Sequence, residues 1–160
     1  MCLITGMLVS CSSDRGISVK FQLQDENGKE KYVFKDNENI IFRLDIINHG
    51  EEEAVLPSLI EILGNDIFHV YSSKGEDYGN PYDVLFLPEI GHLVLDSQSR
   101  NTYLCPWVNN PDSELSWNPL YLSYEIEKLR PLPQGDYYSV FAIKLDNNRV
   151  VTCRKTFKIE

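Results

Sequence analysis

The chain of 160 residues lacks any apolar run as long as the roughly eighteen residues that a membrane-spanning helix requires. It also lacks an excess of basic residues, because 15 Lys and Arg stand against 24 Asp and Glu and give a net charge of -9. Such a charge repels phosphate backbones and anionic bilayers. We therefore expect no nucleic-acid partner, and membrane attachment through a lipid anchor only.

Motifs of known catalytic and metal sites are missing as well. No Cys-x-x-Cys pair occurs, and His49, His69 and His92 stand too far apart for two of them to bind one zinc ion through a short motif. No Gly-x-Ser-x-Gly motif, phosphate-binding glycine loop or calcium loop can be distinguished from chance. We therefore predict a protein that is not an enzyme and that has no metal site and no cofactor.

What the sequence does contain is an alternation of apolar and polar residues with a period of two. It is clear over residues 17–24 and 39–48, and it returns in the last two segments, which run from residue 137 to 145 and from 149 to 159. Turn signals such as Asn27-Gly28 separate these segments. Strands at this spacing predict one all-β domain over residues 17–160, folded as an antiparallel β-sandwich.

The segment Gly135-Asp136-Tyr137 resembles the tyrosine corner of immunoglobulin-like domains. In that corner the phenol donates a hydrogen bond to the chain just before it, so the resemblance gives Gly135 and Tyr137 a structural role. Ser139 stands where antibody domains have a cysteine, which excludes their disulfide. The resemblance thus implies an immunoglobulin-like antiparallel β-sandwich.

The first residues have a different character from the rest of the chain. Residues 1–10 carry no charge and lead to Cys11, after which the chain becomes polar. Leu8-Val9-Ser10-Cys11 resembles the bacterial lipobox, which implies that residues 1–10 are the remnant of a lipoprotein signal peptide. It also implies that Cys11 carries the lipid and that residues 11–16 form a polar tether. A buried N-terminal strand is the alternative interpretation of residues 1–10.

The lipobox, the strand from Phe42 to Asn48 and the corner from Leu132 to Tyr137 together resemble the small immunoglobulin-like lipoproteins of Bacteroidetes. The resemblance covers most of the chain. It implies an outer-membrane lipoprotein of the bacterial cell envelope, on the periplasmic or the surface face. Its function would be that of a non-catalytic binding module whose loops contact a protein or a glycan.

A second resemblance leads to an alternative function. The strand from Ile40 to Asn48 and the corner Gly135-Asp136-Tyr137 are also similar to the bacillary intracellular proteinase inhibitor family, another immunoglobulin-like fold. That family would use an extended loop, here between Tyr78 and Pro119. The alternative function is therefore inhibition of a proteinase.

Two further sets of residues are candidates for a role. Cys105 and Cys153 could form a disulfide in an oxidising envelope, or they could lie buried as small apolar residues. Aromatic side chains cluster in the proline-rich region, where rings that stack and donate hydrogen bonds suit sugars or protein partners. The candidates for a ligand-facing position are Tyr78, Tyr82, Trp107 and Trp117.

Overall fold

A computed structural model describes residues 16–58, 62, 67–86, 91–110, 123–126, 131–146 and 149–160. In these residues the chain is all-β, as the alternation predicts, and its sheets are mainly antiparallel. The described strands are, in chain order, β1 (Ile17–Gln24), β2 (Val33–Phe34), β3 (Ile40–Asn48), β4 (Ala54–Leu56), β5 (Val70–Ser72), β6 (Asp77–Gly79), β7 (Tyr82–Phe86), β8 (Leu93–Leu95), β9 (Arg100–Trp107), β10 (Ser123–Ile126), β11 (Gly135–Asp146) and β12 (Arg149–Ile159).

A three-stranded sheet has the order β1-β3-β9. Strand β3 lies in its centre, and both neighbours run antiparallel to it, from Ile17 opposite Asn48 and from Ile40 opposite Trp107. The alternation works as predicted, because every second side chain of β1 and β3 points to the same buried face. On that face Leu23, Phe42, Leu44 and Ile46 are fully buried.

A five-stranded sheet has the order β2-β12-β11-β5-β6. Its main part is the long antiparallel pair of β11 and β12, which runs from Gly135 opposite Ile159 to Asp146 opposite Arg149. Two further pairs, β4 with β8 and β7 with β10, form separate two-stranded sheets. Strand β4 ends at Leu56, just before Pro57, which has no backbone N–H to continue the ladder.

The turn after β1 forms, but it does not produce a regular hairpin. Gly28 has a φ of 79°, and its N–H donates to the Asp25 carbonyl over 2.9 Å, as the Asn-Gly signal predicts. The chain then leaves β1 after a single bridge, and Val33 and Phe34 pair in parallel with the end of β12. Burial explains this crossing, because the Phe34 ring packs edge to face against the Phe157 ring, with centroids 6.3 Å apart.

One hydrophobic core receives side chains from both larger sheets. At its centre the Phe21 ring of β1 meets the Phe141 ring of β11 edge to face, with 4.8 Å between centroids. The Phe68 ring, two residues before β5, lies 5.5 Å from the Phe42 ring and 5.3 Å from the Phe141 ring, measured between centroids. These contacts hold the three-stranded and five-stranded sheets against each other.

Tyr137 fixes the start of β11. Its hydroxyl donates a 2.6 Å hydrogen bond to the Pro133 carbonyl, which is the bond that a tyrosine corner makes. Its ring stacks on Phe157 at 5.4 Å between centroids. A Cβ at Gly135 would meet the Tyr137 ring at 3.5 Å, an ordinary contact, so the corner depends on the tyrosine and not on the glycine.

Candidate functional site: a polar cleft between loops

A concave polar surface lies where three connecting segments meet. These are the segment between β1 and β2, the segment between β2 and β3, and the chain just after β9. They enclose a cleft of about 390 Å³, which is within the range of roughly 300–1,000 Å³ found for small-molecule sites. The cleft is lined by Asp25, Glu26, Asn27, Lys31, Lys35, Asn37, Glu38 and Asn110.

Asn39 connects all three segments. Its side chain is completely buried, and its Oδ1 accepts hydrogen bonds from the backbone N–H groups of Asn109 and Asn110, both at 2.8 Å. Its Nδ2 donates to Glu26 Oε1 over 2.5 Å. One amide side chain therefore satisfies two backbone donors after β9 and fixes a carboxylate of the cleft.

Asn109 makes the reciprocal connection. Its Nδ2 donates to the Glu38 carbonyl over 2.8 Å, and its Oδ1 accepts the Leu132 N–H over 2.9 Å. Only 3% of its surface is exposed. We call Asn39 and Asn109 the asparagine pair, and together they join the segments around the cleft to one another and to the chain before β11.

The charged groups of the cleft are held by local bonds. Lys31 Nζ contacts both carboxylate oxygens of Glu38, and the Lys35 N–H donates to Glu38 Oε2 over 3.1 Å. Asp25 Oδ1 accepts the backbone N–H groups of Asn27 and Lys29 at 3.0 and 2.9 Å, which closes the turn. These carboxylates therefore have defined positions before any ligand enters.

Three side chains at the cleft remain open to a ligand. The side chains of Asn27, Lys35 and Asn37 are exposed, and they bond to no other side chain or backbone group in the described parts of the chain. They offer two amides, which donate and accept hydrogen bonds, and one ammonium group, which only donates. The cleft thus combines fixed acceptors with adaptable donors.

The structure corrects one of the four aromatic candidates. Trp107 does not face a ligand, because it ends β9 on the side that packs into the core and only 2% of its surface is exposed. Tyr78 is half-buried, and its ring packs edge to face on Tyr137 at 5.4 Å between centroids. The backbone of Tyr82 begins β7, but its side chain is not described, and Trp117 lies outside the described residues.

The two cysteines of the proposed disulfide lie in different sheets. Cys105 is on β9 opposite Phe42, whereas Cys153 is on β12 opposite Phe141. No disulfide joins them, and both thiols are buried. Burial raises the pKa of the Cys105 thiol well above its ordinary value, so this group stays protonated and unreactive. Cys11 lies outside the described residues.

Within the described ranges, no three His, Cys, Asp or Glu side chains come close enough together to hold a metal ion. In the same residues no helix is long and apolar enough to cross a membrane.

The asparagine pair is the part of the site that the sequence did not reveal. Asn39 and Asn109 look like ordinary turn residues at the ends of strands, and polar loop residues are usually exposed. The available signal was the pair of amides at Asn109-Asn110 beside a strand of apolar residues.

The chain matches no family model, and no curated protein is detectably similar to it.

Proposed function

We propose that the protein is a non-catalytic binding module, an immunoglobulin-like β-sandwich held in the bacterial cell envelope by a lipid on Cys11. The cleft between its loops binds a glycan. The observation that carries this proposal is the asparagine pair, because buried amides that tie three loop segments together prepare a binding surface before the ligand arrives. Preorganised loops on a rigid scaffold are the usual form of a binding site.

A glycan suits the chemistry of the cleft better than an apolar ligand. Each sugar hydroxyl both donates and accepts, so it needs acceptors such as the Asp25 carboxylate next to donors such as Lys35 and Asn37. The lining supplies both kinds of group and is rich in amides. The net charge of the lining is close to balanced, with three carboxylates against two lysines, which favours an uncharged glycan.

The immunoglobulin-like assignment has support from the start of β11. The Tyr137 hydroxyl bonds to the Pro133 carbonyl four residues earlier, and the core receives side chains from both larger sheets. Ser139 is buried in the place where an antibody domain would carry a cysteine. This supports the general sandwich and not the disulfide-bonded antibody form.

The tether has a direct test in a bacterial host that expresses the full chain with labelled palmitate. Lipidation at Cys11 predicts that label enters the wild-type protein and that Cys11→Ala abolishes the incorporation. Cys2→Ala is the matched control, because Cys2 would leave with the signal peptide, and it should keep full labelling. Label that persists in Cys11→Ala would exclude the tether.

The binding function is tested separately on a glycan array with the unlipidated Cys11→Ala chain. We expect retention of a subset of uncharged oligosaccharides. The double change of Lys35 and Asn37 to Ala should weaken that binding by about tenfold or more, because it removes two open donors. Lys29→Ala, an exposed lysine outside the cleft lining, is the control. Equal binding by both variants would contradict a site in the cleft.

The alternative function, proteinase inhibition, depends on an extended loop between Tyr78 and Pro119. In the described part of that region, residues 100–107 form a strand, and Tyr103 and Trp107 face the core. These residues therefore favour the binding module. Residual activity is measured for a panel of serine and cysteine proteases at micromolar concentrations of this protein. A slowed protease would support the inhibitor function, and a panel without any slowed protease would exclude it.

A further inference from the structure

The cleft and the place where the chain enters the domain lie at opposite ends of the three-stranded sheet. Strand β1 begins at Ile17, opposite Asn48 in the register with β3, and it ends at Gln24, opposite Ile41. Asp25, the first residue of the cleft lining, follows directly. The two ends of β1 are roughly 24 Å apart, because an antiparallel strand rises by about 3.4 Å per residue. We call the end at Ile17 the entry end.

The entry end is held in place by hydrogen bonds and by a close backbone contact. The His49 N–H donates to the Gly16 carbonyl over 2.7 Å, and the Arg149 guanidinium donates to the Ile17 carbonyl over 3.2 Å. Gly16 has a φ of 77°, and a Cβ there would lie 3.2 Å from the backbone nitrogen of Gly50. The chain therefore enters the domain at a defined position, on the side away from the cleft.

The segment between the proposed lipid and the entry end is short. Cys11 and Gly16 are five positions apart in the sequence. The chain between them spans at most about 18 Å, even when it is fully extended. If the cleft faced the bilayer, the entry end would stand more than about 24 Å away from it. A domain with a lipid on Cys11 thus cannot turn its cleft down onto the bilayer that carries the lipid.

The net charge opposes the remaining orientation, in which the domain would lie flat on the bilayer. The charge of -9 is repelled by the negative surface of an anionic leaflet. This repulsion acts over about 8 Å at physiological ionic strength, a distance that the segment from Cys11 to Gly16 can span. The domain is therefore pushed away from the leaflet, and the entry end stays nearest to it because the lipid holds that end.

We propose that the cleft is the membrane-distal end of the anchored domain and that it binds a glycan presented from the aqueous side. The headgroup of a glycolipid in the same leaflet is not its ligand. This inference rests on the proposed function, because it requires both the lipid on Cys11 and a glycan in the cleft. It narrows the ligand to soluble glycan chains and to glycans on a surface that faces the anchoring bilayer.

Energy transfer to a dye on the lipid headgroups measures the orientation without any glycan. The lipidated chain is placed in vesicles with one donor dye, attached at Asn37→Cys beside the cleft or at Glu51→Cys near the entry end. Both positions are exposed, whereas Cys105 and Cys153 are buried. Because Cys11 carries the lipid, the dye reacts with the new thiol. We expect the dye at residue 37 to lie about 20 Å farther from the headgroups, and hence to transfer much less energy.

Three results of the energy-transfer experiment would overturn the proposal. Equal transfer from the two positions would show a domain that lies flat, and stronger transfer from Asn37→Cys would show an inverted one. No transfer from either position would show a chain without the anchor. None of these results would exclude glycan binding in the cleft, which the array measures with the unlipidated chain.

A competition experiment tests the class of ligand. An uncharged oligosaccharide that the Cys11→Ala chain retains is offered in solution to the lipidated chain in vesicles, with or without a glycolipid of the same headgroup in those vesicles. We expect the affinity to stay within about twofold of that of the unlipidated chain, and the glycolipid to cause no inhibition. Inserting about forty Gly and Ser residues after Ser13 lengthens the flexible segment to roughly 35 Å, so the glycolipid should inhibit that variant.

The lengthened variant separates the two levels of the account. Equal inhibition of the wild type and of the lengthened variant would contradict the membrane-distal cleft and leave the glycan site intact. An array on which the Cys11→Ala chain retains no oligosaccharide would exclude the glycan site, and this inference with it.

Discussion

At the scale of single residues, Tyr137 and Tyr138 are adjacent on β11, but their side chains point to opposite faces of the sheet and make different contacts. The Tyr137 hydroxyl lies at the edge of the core and bonds to the Pro133 carbonyl, whereas the Tyr138 ring points to the opposite face of the sheet and stacks on Tyr71. Burial raises the pKa of the Tyr137 phenol, so it remains a donor at physiological pH. Replacing each tyrosine by Phe therefore compares the loss of the corner hydrogen bond with the loss of a hydroxyl that bonds to no described residue.

We expect Tyr137→Phe to lower the free energy of unfolding by about 1–2 kcal/mol, because the Pro133 carbonyl loses its donor. Tyr138→Phe should change it by less than about 0.5 kcal/mol, since that hydroxyl has no partner in the described structure. Urea unfolding followed by circular dichroism measures both values. Equal effects would show that the corner bond does not stabilise the fold.

A second residue-scale prediction concerns Asp77. The hydrogen bond from His69, with Nε2 2.6 Å from Oδ1, lowers the pKa of the Asp77 carboxyl, and the Gly79 N–H adds to this effect. His69→Phe keeps a ring against Tyr71 and should raise that pKa towards its ordinary value. An NMR titration of the carboxyl carbon measures the shift, and His49→Phe, which is far along the chain from Asp77, should leave it unchanged.

The sign of the pH effect on stability follows from this shift. A carboxyl whose pKa is lower in the folded state stabilises the fold above its unfolded pKa of about 3.9. This contribution is lost as the pH falls through the folded value. The difference in stability between wild type and His69→Phe should therefore shrink in acid, below about pH 4. A difference that grows in acid would contradict the assigned bond.

At the scale of elements, the sequence predicted those features that depend on neighbouring residues. Strands β1 and β3 follow from the alternation of their own side chains, and the turn at Gly28 follows from its local preference for positive φ. The partner of β2 could not be predicted in this way. Its parallel pairing with β12 depends on Phe34 meeting Phe157, far away in the chain.

The cleft was missed for the same physical reason. The hydrogen bond from the Asn109 N–H to Asn39 Oδ1 joins residues 70 positions apart, so no local sequence pattern indicates it. Trp107 was misjudged because a proline-rich region suggested exposed loops, whereas β9 continues through Pro106 to place that ring in the core. In both cases contacts between residues far apart in the sequence determined where the side chain lies.

The asparagine pair gives the element-scale prediction. Asn39→Ala removes the acceptor of two backbone N–H groups and should destabilise the fold by about 2–3 kcal/mol. Asn37→Ala, two residues away and exposed, should cost less than about 0.5 kcal/mol. Urea unfolding measures both. If Asn39→Ala were as mild as Asn37→Ala, the loops would not be held by the pair.

At the scale of the whole molecule, one scaffold of two packed sheets carries the cleft among its connecting segments. The core contacts between Phe21, Phe68 and Phe141 hold the two larger sheets together. The cleft lies where the asparagine pair joins the connecting segments. We propose that a lipid on Cys11 fixes the domain to the envelope and that the cleft binds a glycan there.

An NMR titration of the cleft with an uncharged glycan distinguishes the proposed glycan site from every other location on the domain. The isotope-labelled Cys11→Ala chain is titrated with the uncharged oligosaccharides, and backbone amide shifts are followed residue by residue. We expect the largest changes at residues 25–39 and at Asn109 and Asn110, with none at Tyr71 or Tyr138. Changes centred on Tyr71 and Tyr138, or no changes with any oligosaccharide, would contradict a glycan site in the cleft.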